Sequence, residues 1–396
     1  MRSLRLRAGR LPAVLAVPLL LPAAAAAIGP HVTSPATGGH WTAVEPHSPG
    51  TVNNDLTGMA VLSVDDAWAV GTYADEAGGQ TLIERWDGAA WSVVRSPDPG
   101  DGGGDFLSAV AAVSPSSVWA VGEYDTAGQG KTLILHWNGT SWKQVATPSP
   151  GSSQDELSGI HVVSADDIWA VGDYGDGPAA DKSLILHWNG KTWTQVPSPD
   201  PGSRNELYGV TATSGASAWA VGSSGSQTAA SPFILHWNGA AWKQVPAPHL
   251  PGTGGELLGV DAVSAPDVWA AGEVSDSTGE QTLVLHWNGA AWTRTPSPDP
   301  GSADADYSLS GLAATSAANV WAAGSAYNGA TYRPLILRWN GAAWAVQASP
   351  NPGSGSNLSA IAASSAANAW AVGQFGAAGG DDAFAVHYSV VVSQHG

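Results

Sequence analysis

Three residues carry the most pointed chemistry in this sequence: His161, Thr211 and Asp261, spaced fifty residues apart. A histidine with a carboxylate nearby is the smallest set that acts as a general base, and a threonine hydroxyl beside them adds a polar contact for a ligand. Each follows a leucine by four residues (Leu157, Leu207, Leu257). The equivalent places after Leu56, Leu107, Leu309 and Leu358 hold Ala60, Ala111, Ala313 and Ala362. A place that is alanine in four repeats and polar in three consecutive ones reads as a ligand-facing patch. The plainer reading is a channel-wall substitution bonded to water.

Other reactive residue types recur too regularly to mark a site by themselves. A histidine precedes a tryptophan or tyrosine at His136, His187, His236, His286 and His387, with Arg85 and Arg338 in the two remaining places. One per repeat is too dispersed to share an ion, and no His-Glu-x-x-His is present, so no metal site is expected. Carboxylates stand near the start of most innermost strands: Asp55, Asp105, Glu156, Glu206, Glu256 and Asp306, with Asn357 breaking the row. They read as an acidic ring at a channel mouth, open to a cation or a basic partner, or as loop caps that solvate a rim. Glu84 stands where other repeats have Leu or Val, and a carboxylate at a packed place needs a partner, for which a nearby arginine is expected. Tyr124 and Tyr174, with Tyr73, Tyr327 and Tyr332, fall between second and third strands. They offer faces for stacking on sugar rings, or for ordinary loop packing.

What is missing narrows the chemistry. There is no Gly-x-Ser-x-Gly elbow and no cysteine, which excludes a thiol nucleophile, a Cys-based zinc site and a cysteine-tyrosine copper centre. No motif asks for a cofactor.

The elements that must position these residues are set by repetition. Trp-Ala-(Val/Ala)-Gly occurs seven times, starting at Trp68, Trp119, Trp169, Trp219, Trp269, Trp321 and Trp370. Trp-(Asn/Asp)-Gly-x-x-Trp occurs six times, starting at Trp86, Trp137, Trp188, Trp237, Trp287 and Trp339. In the repeat that starts at Leu157, strands are expected over 157–163, 168–172, 184–188 and 193–196, with Asn189-Gly190 as a hairpin turn. The last repeat stops at His387-Tyr388 and lacks its fourth strand, while His40-Trp41-Thr42-Ala43-Val44 has the form of one. The expected fold is all-β: a seven-bladed β-propeller with four antiparallel strands per blade, the N-terminal strand completing the last blade.

The pattern Leu-x-Gly-Val-x-x-x-Ser…Asp-x-Trp-Ala-Val-Gly…Leu-Ile-Leu-His-Trp-Asn-Gly-x-x-Trp resembles secreted, Trp-rich, kelch-like tandem-repeat propellers of actinobacterial type. True kelch repeats have a double glycine after the second strand, whereas here a single one stands, as at Gly172. The Asp-box of sialidase-type propellers is absent. The resemblance implies the propeller and little about a ligand.

Residues 1–27 read as a secretory signal, with Arg2, Arg5, Arg7 and Arg10 ahead of an apolar run and Ala23–Ala27 offering a cleavage site. A linker over 28–39, a propeller over 40–388 and a tail over 389–396 complete the expected organisation. Without the signal the chain keeps 11 basic residues against 33 acidic ones. Such a surface repels phosphate backbones, so neither nucleic acid nor an anionic membrane is an expected partner. The function expected is a secreted, non-catalytic, monomeric binding propeller for an extracellular glycan or envelope protein. The alternative is a polysaccharide-active lyase or hydrolase at the channel mouth.

Overall fold

The computed structural model describes residues 39–390, apart from 77, 102–103, 176–179, 227–228, 251, 253, 277–278, 302–304 and 378. The expected signal, the linker up to residue 38 and the tail from 391 lie outside the described residues.

The described residues form an all-β fold of 28 strands. β1 (His40–Ala43) is followed by β2 (Asn53–Ser63), β3 (Asp66–Asp75), β4 (Gly78–Trp86) and β5 (Trp91–Val93), and from β2 each pairs antiparallel with the next. The same set of four recurs as β6 (Asp105–Ser114), β7 (Ser117–Thr126), β8 (Gln129–Trp137) and β9 (Trp142–Gln144). Next come β10 (Asp155–Ser164), β11 (Asp167–Gly175), β12 (Asp181–Trp188) and β13 (Trp193–Gln195). Then follow β14 (Arg204–Ser214), β15 (Ser217–Ser226), β16 (Ala229–Trp237) and β17 (Trp242–Gln244). β18 (Gly254–Ser264), β19 (Asp267–Asp276), β20 (Gly279–Trp287) and β21 (Trp292–Arg294) form another set. So do β22 (Asp306–Ser316), β23 (Asn319–Tyr327), β24 (Tyr332–Trp339) and β25 (Trp344–Gln347). The last set has β26 (Ser354–Ser365), β27 (Asn368–Ala377) and β28 (Gly380–Ser389). Its fourth place is taken by β1, antiparallel to β28 with His40 opposite Ser389 and Ala43 opposite Val386.

The repeated residues explain the repeated geometry. Gly172 lies so close to β10 that a Cβ there would sit 2.0 Å from the Glu156 carbonyl oxygen, and the glycine of each Trp-Ala-(Val/Ala)-Gly meets the same obstacle. The Asn189 side chain accepts the N–H groups of Lys191 and Thr192 at 3.1 and 3.0 Å, while Gly190 takes φ +84° to turn the hairpin.

Core clusters lie between consecutive sets. Trp119, Val121 and Ile134 of one set pack on Leu157, Ile168, Leu184 and Trp193 of the next. The order closes on itself, because Trp370 and Val372 of the last set pack on Leu56, Leu82 and Trp91 of the first. At these junctions the second-strand tryptophan meets the next set's fourth-strand tryptophan edge-on: Trp169 with Trp242 at 5.2 Å and 89°, Trp219 with Trp292 at 5.2 Å and 90°. Trp41 makes this contact with Trp321 at 5.3 Å and 87°.

Strands run further than the residue pattern suggests. β11 and β12 continue their ladder to Gly175 opposite Asp181, where a longer loop was expected. Tyr73, Tyr124, Tyr174, Tyr327 and Tyr332 therefore lie on strands, not on loops.

Candidate functional site

His161, Thr211 and Asp261 occupy one register place, opposite Trp169, Trp219 and Trp269 on three successive innermost strands. Each is bonded to the next strand in the series. Half-buried His161 hydrogen-bonds the backbone of Ala212 on β14. Thr211 Oγ1 donates to Asp261 Oδ1 at 3.4 Å. Asp261 accepts its neighbour's N–H, from Ala262, at 2.8 Å and the N–H of Ala314, on β22, at 2.8 Å. The result is an arc of side-chain bonds across β10, β14, β18 and β22.

Burial sets the charges in this arc. It pushes the His161 imidazole down to about 4, against weaker upward pulls from the Ala212 bond and the Asp167 charge. It pushes the Asp261 carboxyl up to about 6, against the Ala314, Ala262 and Thr211 bonds. At neutral pH His161 is uncharged and Asp261 is mostly ionised with its oxygens already engaged.

Tyr124 and Tyr174 are not gathered into this arc. They stand opposite Asp105 and Asp155 at the other end of the strands. Six residues of strand separate Asp155 from His161, roughly 20 Å. Both rings pack against core clusters, and the Lys182 ammonium sits 6.0 Å from the Tyr174 ring centroid.

The expected acidic ring is instead two rows, and most of it is buried, with Glu156 and Asp306 half-buried. One row precedes the leucine directly: Asp55, Glu156, Glu206 and Glu256, with Phe106 and Ser308 in the places given to Asp105 and Asp306. The row before it closes loops: Asn54, Asp105, Asp155 and Asn205 accept the N–H of Gly50, Gly100, Gly151 and Gly202 at 2.7, 2.9, 2.6 and 2.9 Å. Asp306, one residue earlier still, accepts the N–H of Glu280 at 3.0 Å.

The first row meets carboxylates of the second strands. Burial, with the Glu156 charge next, pushes Glu123 up to about 8. Burial and the charges of Glu156, Glu206 and Asp181 hold Asp173 well above the usual range, opposed by Arg204. Arg204 and the Tyr208 hydroxyl both bond Glu206. Asp55 is pushed up to about 7 by burial and then by Asp381. Burial and mutual repulsion therefore favour the protonated form of the carboxyls gathered at this end. Glu123 and Asp173 were missed because their significance lies in facing another strand's acids, which no local motif displays.

The histidines before the third-strand aromatic each serve their own set. His136, His187, His236, His286 and His387 stack on Trp119, Trp169, Trp219, Trp269 and Trp370 with ring centroids 4.1–4.3 Å apart. His187 and His286 also bond Asp167 and Asp267 at 2.8 Å. Arg85 and Arg338 fill the same place over Trp68 and Trp321. Arg85 pairs with Asp66, not with Glu84 as expected. Glu84, with no exposed surface, takes the His47 main-chain N–H on both oxygens at 3.0 and 3.1 Å.

With this geometry described, known proteins are informative. No family model matches the chain, and no curated protein matches it in sequence. Among solved structures it is similar to YCF48 bound to a D1 peptide, at 17% identity and TM-score 0.53 over 89% of this chain and 97% of the other. It is also similar to an ulvan lyase of polysaccharide lyase family PL25, at 9% identity and TM-score 0.53 over 87% of this chain and 93% of the other. The same lyase bound to -[GlcA(1-4)Rha3S]- aligns at 10% identity and TM-score 0.52. The fold is propeller-like. These identities speak to the fold alone. In propeller terms the His161 arc lies on the innermost strands, and the carboxylates gather where those strands begin.

Proposed function

We propose that this chain is a secreted, monomeric, seven-bladed propeller that binds an extracellular glycan or envelope protein and performs no chemistry on it. The seven-blade count is supported by the strand sets and by Trp370 packing on Leu56 and Trp91, which joins the last set to the first. Export is supported by the character of residues 1–27.

The observation that carries the binding role is how His161 and Asp261 are held on the innermost strands. His161 is turned to the Ala212 main chain on the next strand, and Asp261 is engaged by the N–H of Ala262 on its own strand, the N–H of Ala314 on the next and the Thr211 hydroxyl, so neither is poised to move a substrate proton. By residue count the connections between second and third strands are short, two residues in five sets and four and five in the others, too few to fold over a substrate as a lid. YCF48 was solved with a peptide and the ulvan lyase with a saccharide, so relatives in fold present both ligand classes.

The second reading, a polysaccharide-active enzyme, is favoured by one feature: burial, with Glu156 next, pushes the Glu123 carboxyl up to about 8, in the range of a general acid. Substituting His161→Ala and Glu123→Gln separates the two roles when affinity and product release are both followed. A binder shifts its affinity and releases nothing in any form. An enzyme releases product and loses turnover by at least a hundredfold in one of the two variants.

A further inference from the structure

The junction between the last blade and the first is built from a different pair of residues. Six residues after each fourth-strand tryptophan stands a proline: Pro97, Pro148, Pro199, Pro248, Pro298 and Pro350. After Trp41 the same place is His47. Two residues before each third-strand aromatic stands Leu135, Leu186, Leu235, Leu285, Leu337 or Val386, and in the first blade Glu84. These two departures meet each other. Besides the two main-chain bonds, His47 Nδ1 lies 3.2 Å from Glu84 Oε2. A proline has no N–H to give, and a leucine has no acceptor to offer it, so the exchange is reciprocal.

The rest of the segment follows the repeat. Val44 N–H donates to the Ala385 carbonyl at 3.0 Å, as Val94 does to Ile83 at 2.8 Å and Val145 to Ile134 at 2.9 Å. Ser48 Oγ accepts the Ala383 N–H at 3.1 Å, as Asp98 accepts that of Thr81 at 2.7 Å. One difference remains. Every other fourth strand is tied to its third strand by a tight turn, whereas Thr42 bonds His387 across 345 residues of chain. β1 is the fourth strand that leaves its blade without opening a hairpin.

We propose that residues 40–48 are a releasable strap, and that the Glu84–His47 clip sets how readily it leaves β28. A dry carboxylate is held at a cost that its hydrogen bonds must offset, and it regains water when the strap departs. The prolines and the leucines or valine that fill these places at the other junctions carry no charge to rehydrate and have no such gain. The clip therefore makes this closure easier to open than an apolar one.

Amide hydrogen exchange of the full chain tests this. The wild-type amides of Thr42 and Val44 are expected to exchange at least tenfold faster than those of Thr194 and Val196 in the third blade. Restoring the repeat residues with Glu84→Leu and His47→Pro together is expected to slow Thr42 and Val44 at least fivefold. Equal wild-type rates in the two blades overturn the proposal, as does a double variant whose strap exchanges no slower. The wild-type comparison needs no variant, so it decides whether the strap is releasable even if the double variant does not fold; in that case Glu84→Gln, which keeps an acceptor without the charge, tests the clip, and Thr42 and Val44 that exchange no slower in it overturn its role.

Discussion

Asp261 gives both carboxylate oxygens to main-chain N–H groups, one on its own strand and one on the next blade. Removing that acceptor leaves two donors without partners in a half-buried wall, each worth about 1–3 kcal/mol. Asp261→Ala is therefore expected to lower unfolding free energy by about 2–4 kcal/mol in urea titration, with an unchanged slope against denaturant. A loss under about 0.5 kcal/mol means that the arc does not tie the blades. His161, Thr211 and Asp261 were legible as exceptions because alanine fills their place elsewhere. Their partners were not legible, since two of the bonds run to main chain of the next strand, which residue types do not reveal. Glu84 shows the same limit: its need for a partner was readable, but the partner is a backbone N–H that exists because His47 replaces a proline.

At the level of strands and junctions, the tryptophans dominate packing. Trp169 is buried against Trp237 and Trp242 of the following blade. Trp169→Ala is expected to cost about 3–5 kcal/mol through the cavity it leaves. Its Nε1 has no hydrogen-bond partner among the described residues, so Trp169→Phe is expected to cost less than half as much. The strand-start carboxylates act on pH dependence. Glu123 and Asp55 are pushed up to about 8 and 7 from ordinary values of 4.5 and 3.8. Each holds a proton in the folded state that the unfolded chain releases. Their stabilising contribution is complete below the ordinary values and is lost as pH rises through the folded ones. His161 acts in the opposite sense, because its value is depressed from 6.5 to about 4, so its contribution is lost as pH falls between those values. Between pH 6.5 and 8.5 the carboxyls titrate and His161 does not. The melting temperature is expected to fall across that interval, and Glu123→Gln to flatten the fall. A melting temperature that rises with pH contradicts the assignment. The four strands of each repeat were legible from the Trp-Ala-(Val/Ala)-Gly and Trp-Asn-Gly elements. Strand ends were not, because the second and third strands extend their ladder into residues of polar, loop-like type.

Across the whole molecule, repeated four-strand sets pack in sequence, and the last packs on the first. Closure was legible from an incomplete last repeat and a spare strand at residues 40–44, and the pairing of β1 with β28 agrees. A ligand was not legible, because even loops and a repeated interior leave few residues to distinguish one surface from another. The net charge of −18 for the full chain makes long-range attraction favour cationic partners, so affinity for a basic peptide is expected to fall as salt is raised. The most direct test of the binding role presents purified residues 28–396 to a panel of plant, fungal and bacterial wall polysaccharides and envelope proteins, with product release assayed in the same wells. Saturable binding to at least one of them is expected, with no product formed. Product that accumulates with time and disappears in His161→Ala or Glu123→Gln contradicts it and makes the protein an enzyme.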